Sequence, residues 1–283
     1  MNTKNLYLDV KDHSVSGEQF QLFYNTELDM LETFPQPIED HLGQYYKTED
    51  YISHTDSKRN ILEYVYHFVR QITLKRKVKL ISKHVNSGKE LLDIGCGTGD
   101  FLYSALKNGW RVSGIEPNEK ARAIANAKTN DAVSNSDKLF KFENNRFDVI
   151  TLWHVLEHLP NLEKHIDTIN RLLKPGGILI IAVPNFKSYD AQYYKSFWAA
   201  YDVPRHLWHF SKSTVVKLFS KYNFELLKTK PMLFDSFYVS LLSEKYKSGS
   251  MNPLKAFWVG LRSNINGKRT KQYSSHIYIL KKR

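Results

Sequence analysis

Two short stretches of this 283-residue chain hold residue types that do chemistry at spacings that matter. The first is LLDIGCGTGDFL, residues 91–102; the second is RFDVITLWHVLEHLP, residues 146–160. In the first, a strand ending at Ile94 runs into Gly95, Gly97 and Gly99, and a helix starts near Asp100. Glycines there let a ligand lie against backbone that a side chain would block. Pyrophosphate-binding turns prefer G-x-G-x-x-G, whereas this turn reads G-x-G-x-G with Asp93 two residues ahead. An aspartate is repelled by a phosphate and attracted by a cationic sulfonium or an amino group. In the second stretch a strand ends near Trp153, and His154, Glu157 and His158 follow at once. Histidine is the usual proton acceptor near neutral pH. The bland alternatives are a ligand-free glycine turn and a Glu-His pair that only orients a helix start.

The elements that must position these residues alternate along the chain. ELLDI, RVSGIE, FDVITLW and GILIIAVPN read as strands; FLYSALKNG, EKARAIANAK and LEKHIDTINRLLKPGG read as helices. KSTVVKLFSKYN adds a helix, and FELLKTK and SHIYILKK add two strands around a helical stretch near MNPLKAFWVGLR. Such alternation predicts a parallel sheet with helices on both faces. The glycine turn then lies at the carboxyl end of the first strand, where open α/β sheets hold cofactors. Glu116 ends the second strand 19 positions after Gly97, close to the ~20 expected of a ribose-binding carboxylate.

LLDIGCGTGDFL resembles the first motif of the class I S-adenosylmethionine (SAM)-dependent methyltransferases. VSGIEPN, RFDVITLWHVLEHLP and RLLKPGGILIIAVPN are similar to that family's second, fourth and fifth motifs. The closest flavour is the small-molecule group that includes the ubiquinone-biosynthesis O-methyltransferases. The resemblance covers roughly residues 88 to 230. It implies a Rossmann-like, open, mostly parallel seven-stranded sheet with an antiparallel last strand. It places Asp93, Gly95, Cys96, Gly97, Gly99, Glu116, Pro117 and Trp153 about the cofactor, with His158 or His154 as the candidate base. For the adenine contact Asn135, Ser136 and Asp137 are the candidates; Pro175, Gly176 and Gly177 close a helix, and Asn185 lies near the site. The expected reaction moves a methyl group from SAM to an oxygen or nitrogen of a small molecule. A nicotinamide-dependent oxidoreductase is the alternative within the fold, disfavoured by the turn spacing and by Asp93.

After Asn185 the chain runs FKSYDAQYYKSFWAAYDVPRHLWHFS, long, aromatic and without periodicity. It leaves the sheet on the carboxyl side and so reads as a lid over residues 186–211. Tyr193, Tyr194, Phe197, Trp198, Tyr201, Trp208 and Phe210 can line a ring-binding pocket, and Arg205, His206 and His209 can meet an anion or move a proton. Equally, the lid can be held down by its own aromatics. A helical insertion is expected at about 236–270, and residues 1–85 form an N-terminal extension to a domain spanning 86–283. Residues 1 to 45 read as irregular, with EQFQLFYN a weak strand signal. The helix expected over 57–85 sets Ile61, Leu62, Val65, Phe68, Val69, Ile72 and Leu80 against a face bearing Lys58, Arg59, Arg70, Lys75, Arg76, Lys77, Lys79 and Lys83.

The chain carries a formal charge of +12 and one cysteine, Cys96. One thiol excludes a disulfide framework and a cysteine-rich zinc site, and residues 1–50 lack the cysteine pairs that some relatives carry, so no metal is expected. No signal peptide or membrane span is read, and a cytoplasmic setting is the simplest. Net charge selects no partner by itself. A third reading is a non-catalytic module whose basic helix and the stretch near Phe257 and Trp258 contact an anionic membrane or polymer. Nucleobase amino methylation is disfavoured because LWHV replaces the expected [DNS]-P-P-[FYW] tetrapeptide. Carbon-5 methylation of pyrimidines needs a cysteine nucleophile, and Cys96 is taken by the glycine turn.

Overall fold

A computed structural model describes residues 5–46, 61–85 and 88–283. Its centre is a seven-stranded sheet with strand order β10-β11-β8-β7-β4-β5-β6. The strands are β4 (Glu90–Ile94), β5 (Arg111–Ile115), β6 (Val133–Ser134), β7 (Phe147–Trp153), β8 (Leu173–Pro184), β10 (Phe224–Pro231) and β11 (Ser275–Lys282). Neighbours from β6 through β8 pair in parallel, while β11 runs antiparallel to both β8 and β10. The expected sheet and its antiparallel last strand are therefore both present.

The period of the strands explains the layers. Ile178 and Ile180 of β8 join one apolar cluster and Leu179, Ile181 and Val183 join the other. A strand that is apolar on both faces must be covered on both. One cover contains α2 (Ile61–Lys83), α3 (Asp100–Lys107) and α4 (Glu119–Thr129), which contribute Val78, Ile81, Phe101, Leu102 and Ala125. The other contains α5 (Leu162–Leu172) and α7 (Lys212–Ser220), through Ile166, Ile169, Val215 and Leu218. Here α1 denotes the short turn Glu39–Leu42 and α6 denotes Tyr189–Tyr194.

Three sequence expectations change. Residues 5–34 are not irregular: β1 (Asn5–Lys11), β2 (Gln19–Asn25) and β3 (Met30–Phe34) form an antiparallel meander, which β9 (Trp208–His209) from the lid extends. The signal is weak in sequence because the outer face of β1 is exposed and its alternation incomplete. Next, α5 ends at Leu172, and Pro175, Gly176 and Gly177 lie within β8, where its pairing with β7 slips between Phe147 and Val149. Finally, α2 is a packed helix whose face is not all solvated. Lys75, Arg76, Lys79 and Lys83 are exposed, but Lys77 is half-buried with its ammonium 4.2 Å from the Trp153 ring centroid. The expected start near Ser57, with Lys58 and Arg59, lies outside the described residues, as do the side chains of Ile61, Leu62, Val65, Phe68, Val69 and Arg70.

A helical hairpin, α8 (Asp235–Ser248) and α9 (Pro253–Thr270), fills the stretch between β10 and β11. Among the described residues no helix is long and apolar enough to cross a membrane.

Candidate active site

The glycine turn leaves β4 at the centre of the sheet, with β5 on one side and β7 on the other. Strand order reverses there, so a crevice opens at the carboxyl ends. Gly95, Gly97 and Gly99 all have positive φ, at 70°, 54° and 77°. Two of them are also forced by packing: a Cβ on Gly95 would sit 2.4 Å from Val155 Cγ2, and one on Gly99 would sit 2.8 Å from Ala125 Cβ. Gly97 differs, because a Cβ there meets nothing within 4 Å among the described residues. Open space above a backbone that no β-carbon crowds is what a ligand cradle requires.

Two buried carboxylates flank this cradle. Glu116 is 1% exposed and accepts from Gly97 N at 2.8 Å and Asn118 N at 2.9 Å, one to each oxygen. Burial raises its pKa, and those two backbone donors oppose the rise. A carboxylate offers about four lone-pair sites, so each oxygen keeps one for a further donor. Asp93 accepts from Thr151 Oγ1 at 2.6 Å. Burial pushes its pKa up to about 7, against the Thr151 hydrogen bond and the charge of Lys77. Burial in turn lowers Lys77 to about 8, opposed by Asp93 and Asp235. Two desolvated acids, Asp93 offset in part by Lys77 and Glu116 by Arg122, suit a ligand with a positive centre and hydroxyl donors. Phe101 meets the Trp153 ring edge-on at 5.7 Å, which completes an apolar wall. These residues fit the S-adenosyl group that the sequence implies. Cys96 is no nucleophile, since burial raises its thiol pKa. Pro117 and the candidates Asn135, Ser136 and Asp137 lie exposed beyond the ends of β5 and β6.

The second stretch divides its two histidines into different species. His154, at φ 57°, holds its Nε2 3.1 Å from Asp235 Oδ2 and its Nδ1 3.4 Å from Glu157 Oε1. Burial alone would lower its pKa, but the two acids raise it to about 10. A cationic ring has no lone pair to accept a proton. His158 goes the other way: burial and the neighbouring His206 lower it to about 4, so it is neutral. Its Nδ1 lies 3.1 Å from the Arg205 carbonyl and 3.0 Å from the Tyr46 hydroxyl.

The lid buries Tyr194, Trp198, Tyr201 and Phe210, while Tyr193 lines a surface cavity with Tyr189 and Trp258. Tyr194, Trp198 and Tyr201 are at most 2% exposed and pack with Phe20, Leu22, Leu31 and Val259. Trp198 Nε1 donates to Asp190 at 2.8 Å. Phe210 joins the main core, while Tyr193 stays partly exposed. Arg205 pairs with Asp202 and reaches the Tyr45 carbonyl; His209 lies 3.0 Å from Thr33 Oγ1. Asn185 ties the start of the lid to the Tyr273 carbonyl at 2.9 Å. Thr33 N donates to the Leu207 carbonyl and Leu207 N to the Glu157 carbonyl, which stitches sheet, lid and β7 together. Sequence reasoning missed Lys77 and Asp235, because both lie far in sequence from the motifs. It also missed the N-terminal sheet as the lid's seat.

A family model described as "Methyltransferase domain" matches residues 65–229. The chain is 34% identical over 112 residues to an ubiquinone biosynthesis O-methyltransferase of Azoarcus sp. (strain BH72), covering 36% of this chain and 48% of that protein. It is 30% identical over 154 residues to a demethylmenaquinone methyltransferase of Staphylococcus aureus (strain MRSA252), covering 50% of this chain and 62% of that one. The chain thus spans about half the length of the curated relatives it matches. A solved magnesium protoporphyrin IX methyltransferase from Synechocystis PCC 6803, with bound SAH, aligns at TM-score 0.54 and 16% identity over 81% of this chain and 91% of that one. At that identity the likeness is one of fold.

Proposed function

The chain belongs to the methyltransferase-domain family, and on that premise we propose that it transfers a methyl group from SAM to an oxygen or nitrogen of a small-molecule acceptor. The observation that carries this reading is the open backbone at Gly97 between the buried carboxylates Asp93 and Glu116. Bound SAM supplies an electrophilic methyl carbon on a cationic sulfonium. The Glu116 oxygens take the ribose hydroxyls while the Gly97 and Asn118 amides hold the carboxylate in place. Asp93 meets the positive methionine end, and Trp153 walls the reacting centre. Because the electrophile is already activated, the protein mainly aligns the reactants and keeps water out. Of the two histidines only His158 is in a state to accept a proton from the acceptor. The relatives named for ubiquinone and demethylmenaquinone methylation support a ring-bearing acceptor of that kind.

Calorimetric titration with SAH, with NADH as control, tests the reading. Micromolar SAH binding and no NADH binding are expected. Folded protein that ignores SAH returns the chain to the binding-module reading, and preference for NADH returns it to the oxidoreductase reading.

A second reading concerns location. Leu254, Phe257, Trp258 and Ile265 of α9 are 52–77% exposed, on a helix that also carries Lys255, Arg262 and Lys268. Exposed apolar and aromatic side chains among cations favour peripheral contact with an anionic membrane. Sedimentation with anionic liposomes that falls steeply with salt is expected. Sedimentation unchanged in Phe257→Ser/Trp258→Ser removes this reading.

A further inference from the structure

We propose that Glu157, His158 and His206 form a site for a transition-metal dication of the zinc or ferrous class. The site lies where the turn after β7 meets the lid. Each of the three offers one ligand atom, and these atoms all lie within 4.8 Å of one another. In a four-coordinate site with bonds of ~2.0–2.2 Å, ligand atoms stand ~3.4 Å apart, so closure needs only small side-chain movement.

Three observations point to a cation. Glu157 is 1% exposed, and among the described residues neither of its carboxylate oxygens accepts a hydrogen bond. Its nearest cationic partner, His154 Nδ1, stands 3.4 Å from one oxygen. That ion pair with His154 leaves the other oxygen without a partner among the described residues, and buried carboxylates are normally satisfied at both oxygens by hydrogen bonds or a metal. The histidines are pre-set as well. His158 Nδ1 faces the Arg205 carbonyl at 3.1 Å, and His206 Nδ1 faces the Ala200 carbonyl at 2.9 Å. A carbonyl only accepts, so a ring that gives its Nδ1 proton to it presents a lone pair at Nε2; the Tyr46 hydroxyl, 3.0 Å from His158 Nδ1, can accept from that same N–H. Metal-bound histidines are held by this same arrangement, the remote N–H given to a carbonyl. Last, the two rings meet edge-to-face with centroids 4.5 Å apart, beside the buried Glu157 carboxylate. Asp202 Oδ2 is 3.8 Å from His206 Nε2, too far for a hydrogen bond, and its carboxylate is held by Arg205. Bare Lewis bases repel one another unless a cation joins them.

Two imidazoles and one carboxylate suit zinc and ferrous ions and leave a coordination position open. Glu157 and His158 come from the β7 turn and His206 from the lid, so the ion would pin the lid to the sheet. The sequence expects no metal because it lacks cysteine pairs; a nitrogen–oxygen site needs none. The ion would occupy the His158 lone pair, so the role of His158 as base belongs to the metal-free chain; methyl transfer from the already activated sulfonium does not require it.

The test is titration of the chelator-dialysed full chain with Co2+, followed by visible absorption. Ligand-field bands saturating at about one Co2+ per chain, bleached by Zn2+, are expected. Glu157→Gln and His206→Gln should each weaken Co2+ binding ~10–100-fold or more. His165→Gln, on the outer face of α5, should leave it unchanged. Far-UV circular dichroism checks that the variants fold. Absence of Co2+ bands in the wild-type chain overturns the proposal. So does binding that both ligand variants retain at wild-type strength. If one variant fails to fold, the other and the wild-type titration decide.

Discussion

The glycine turn and the lid seat lie at the same carboxyl edge of the sheet, yet they are built in opposite ways. The turn is local. Residues 93–118 supply the cradle, and its carboxylate Glu116 is held by backbone amides of Gly97 and Asn118. The lid seat is assembled from afar: Leu22 and Leu31 of the N-terminal sheet, Trp198 and Tyr201 of the lid, and Val259 of the helical hairpin share one apolar cluster. A cradle made of backbone stays open because glycines keep side chains away. A seat made of aromatics is closed because those side chains fill it. One region is therefore shaped for a ligand, and the other for holding its cover in place.

The sharpest way to break this contrast is to empty the seat. Trp198→Ala should cost ~3–5 kcal/mol of stability by urea denaturation, through a cavity and the lost bond to Asp190. At temperatures where the variant stays folded, SAH affinity should change less than about two-fold, since the cradle shares none of those contacts. A large loss of affinity would merge the two regions into one. Gly97→Arg should do the reverse. A side chain placed in the open space should abolish measurable SAH binding, a loss above ~100-fold or ~2.7 kcal/mol, with little loss of fold beyond ~1–2 kcal/mol for the left-handed φ.

Glu116→Gln sits between these. It keeps the size, weakens acceptance from the two amides, and should lower SAH affinity ~10-fold with a stability loss of ~1–2 kcal/mol. Unchanged affinity in calorimetry would separate Glu116 from the cofactor.

The last test is a slope with pH. Asp93 holds its proton up to about pH 7 when folded, and to ~3.9 when unfolded. The folded chain binds more protons between these values, so this group lowers stability as pH rises from ~4 to ~7. Lys77, lowered to about 8, adds the opposite trend above that point, where the folded chain binds fewer protons than the unfolded one. Asp93→Asn should flatten the fall between ~pH 4 and ~7 in thermal unfolding, and an unaltered slope would show the carboxyl to be solvated.

Motif residues were legible because their signals are short. Asp93 through Gly99 is seven consecutive residues, and Glu116 lies at the end of the next strand, so spacing alone points to the cradle. The alternation of apolar strands and amphipathic helices likewise announces a sheet covered on both faces. Less was legible in the histidines. His154 and His158 sit four residues apart in one turn, yet burial with two acids makes one a cation, and burial beside a second histidine keeps the other neutral. Those partners, Asp235 and His206, come from a distant helix and from the lid.

By itself, then, the sequence determined the sheet, the helical layers and the glycine cradle between two acids, because each depends on residues near in the chain. Only the tertiary structure decided that Lys77 turns inward over Trp153, that Tyr194, Trp198 and Tyr201 of the lid are buried against an N-terminal sheet, and that Glu157, His158 and His206 converge. The physical reason is that burial and electrostatic environment are properties of what packs around a group, and here the packing joins segments as far apart in sequence as Val10 and Val259.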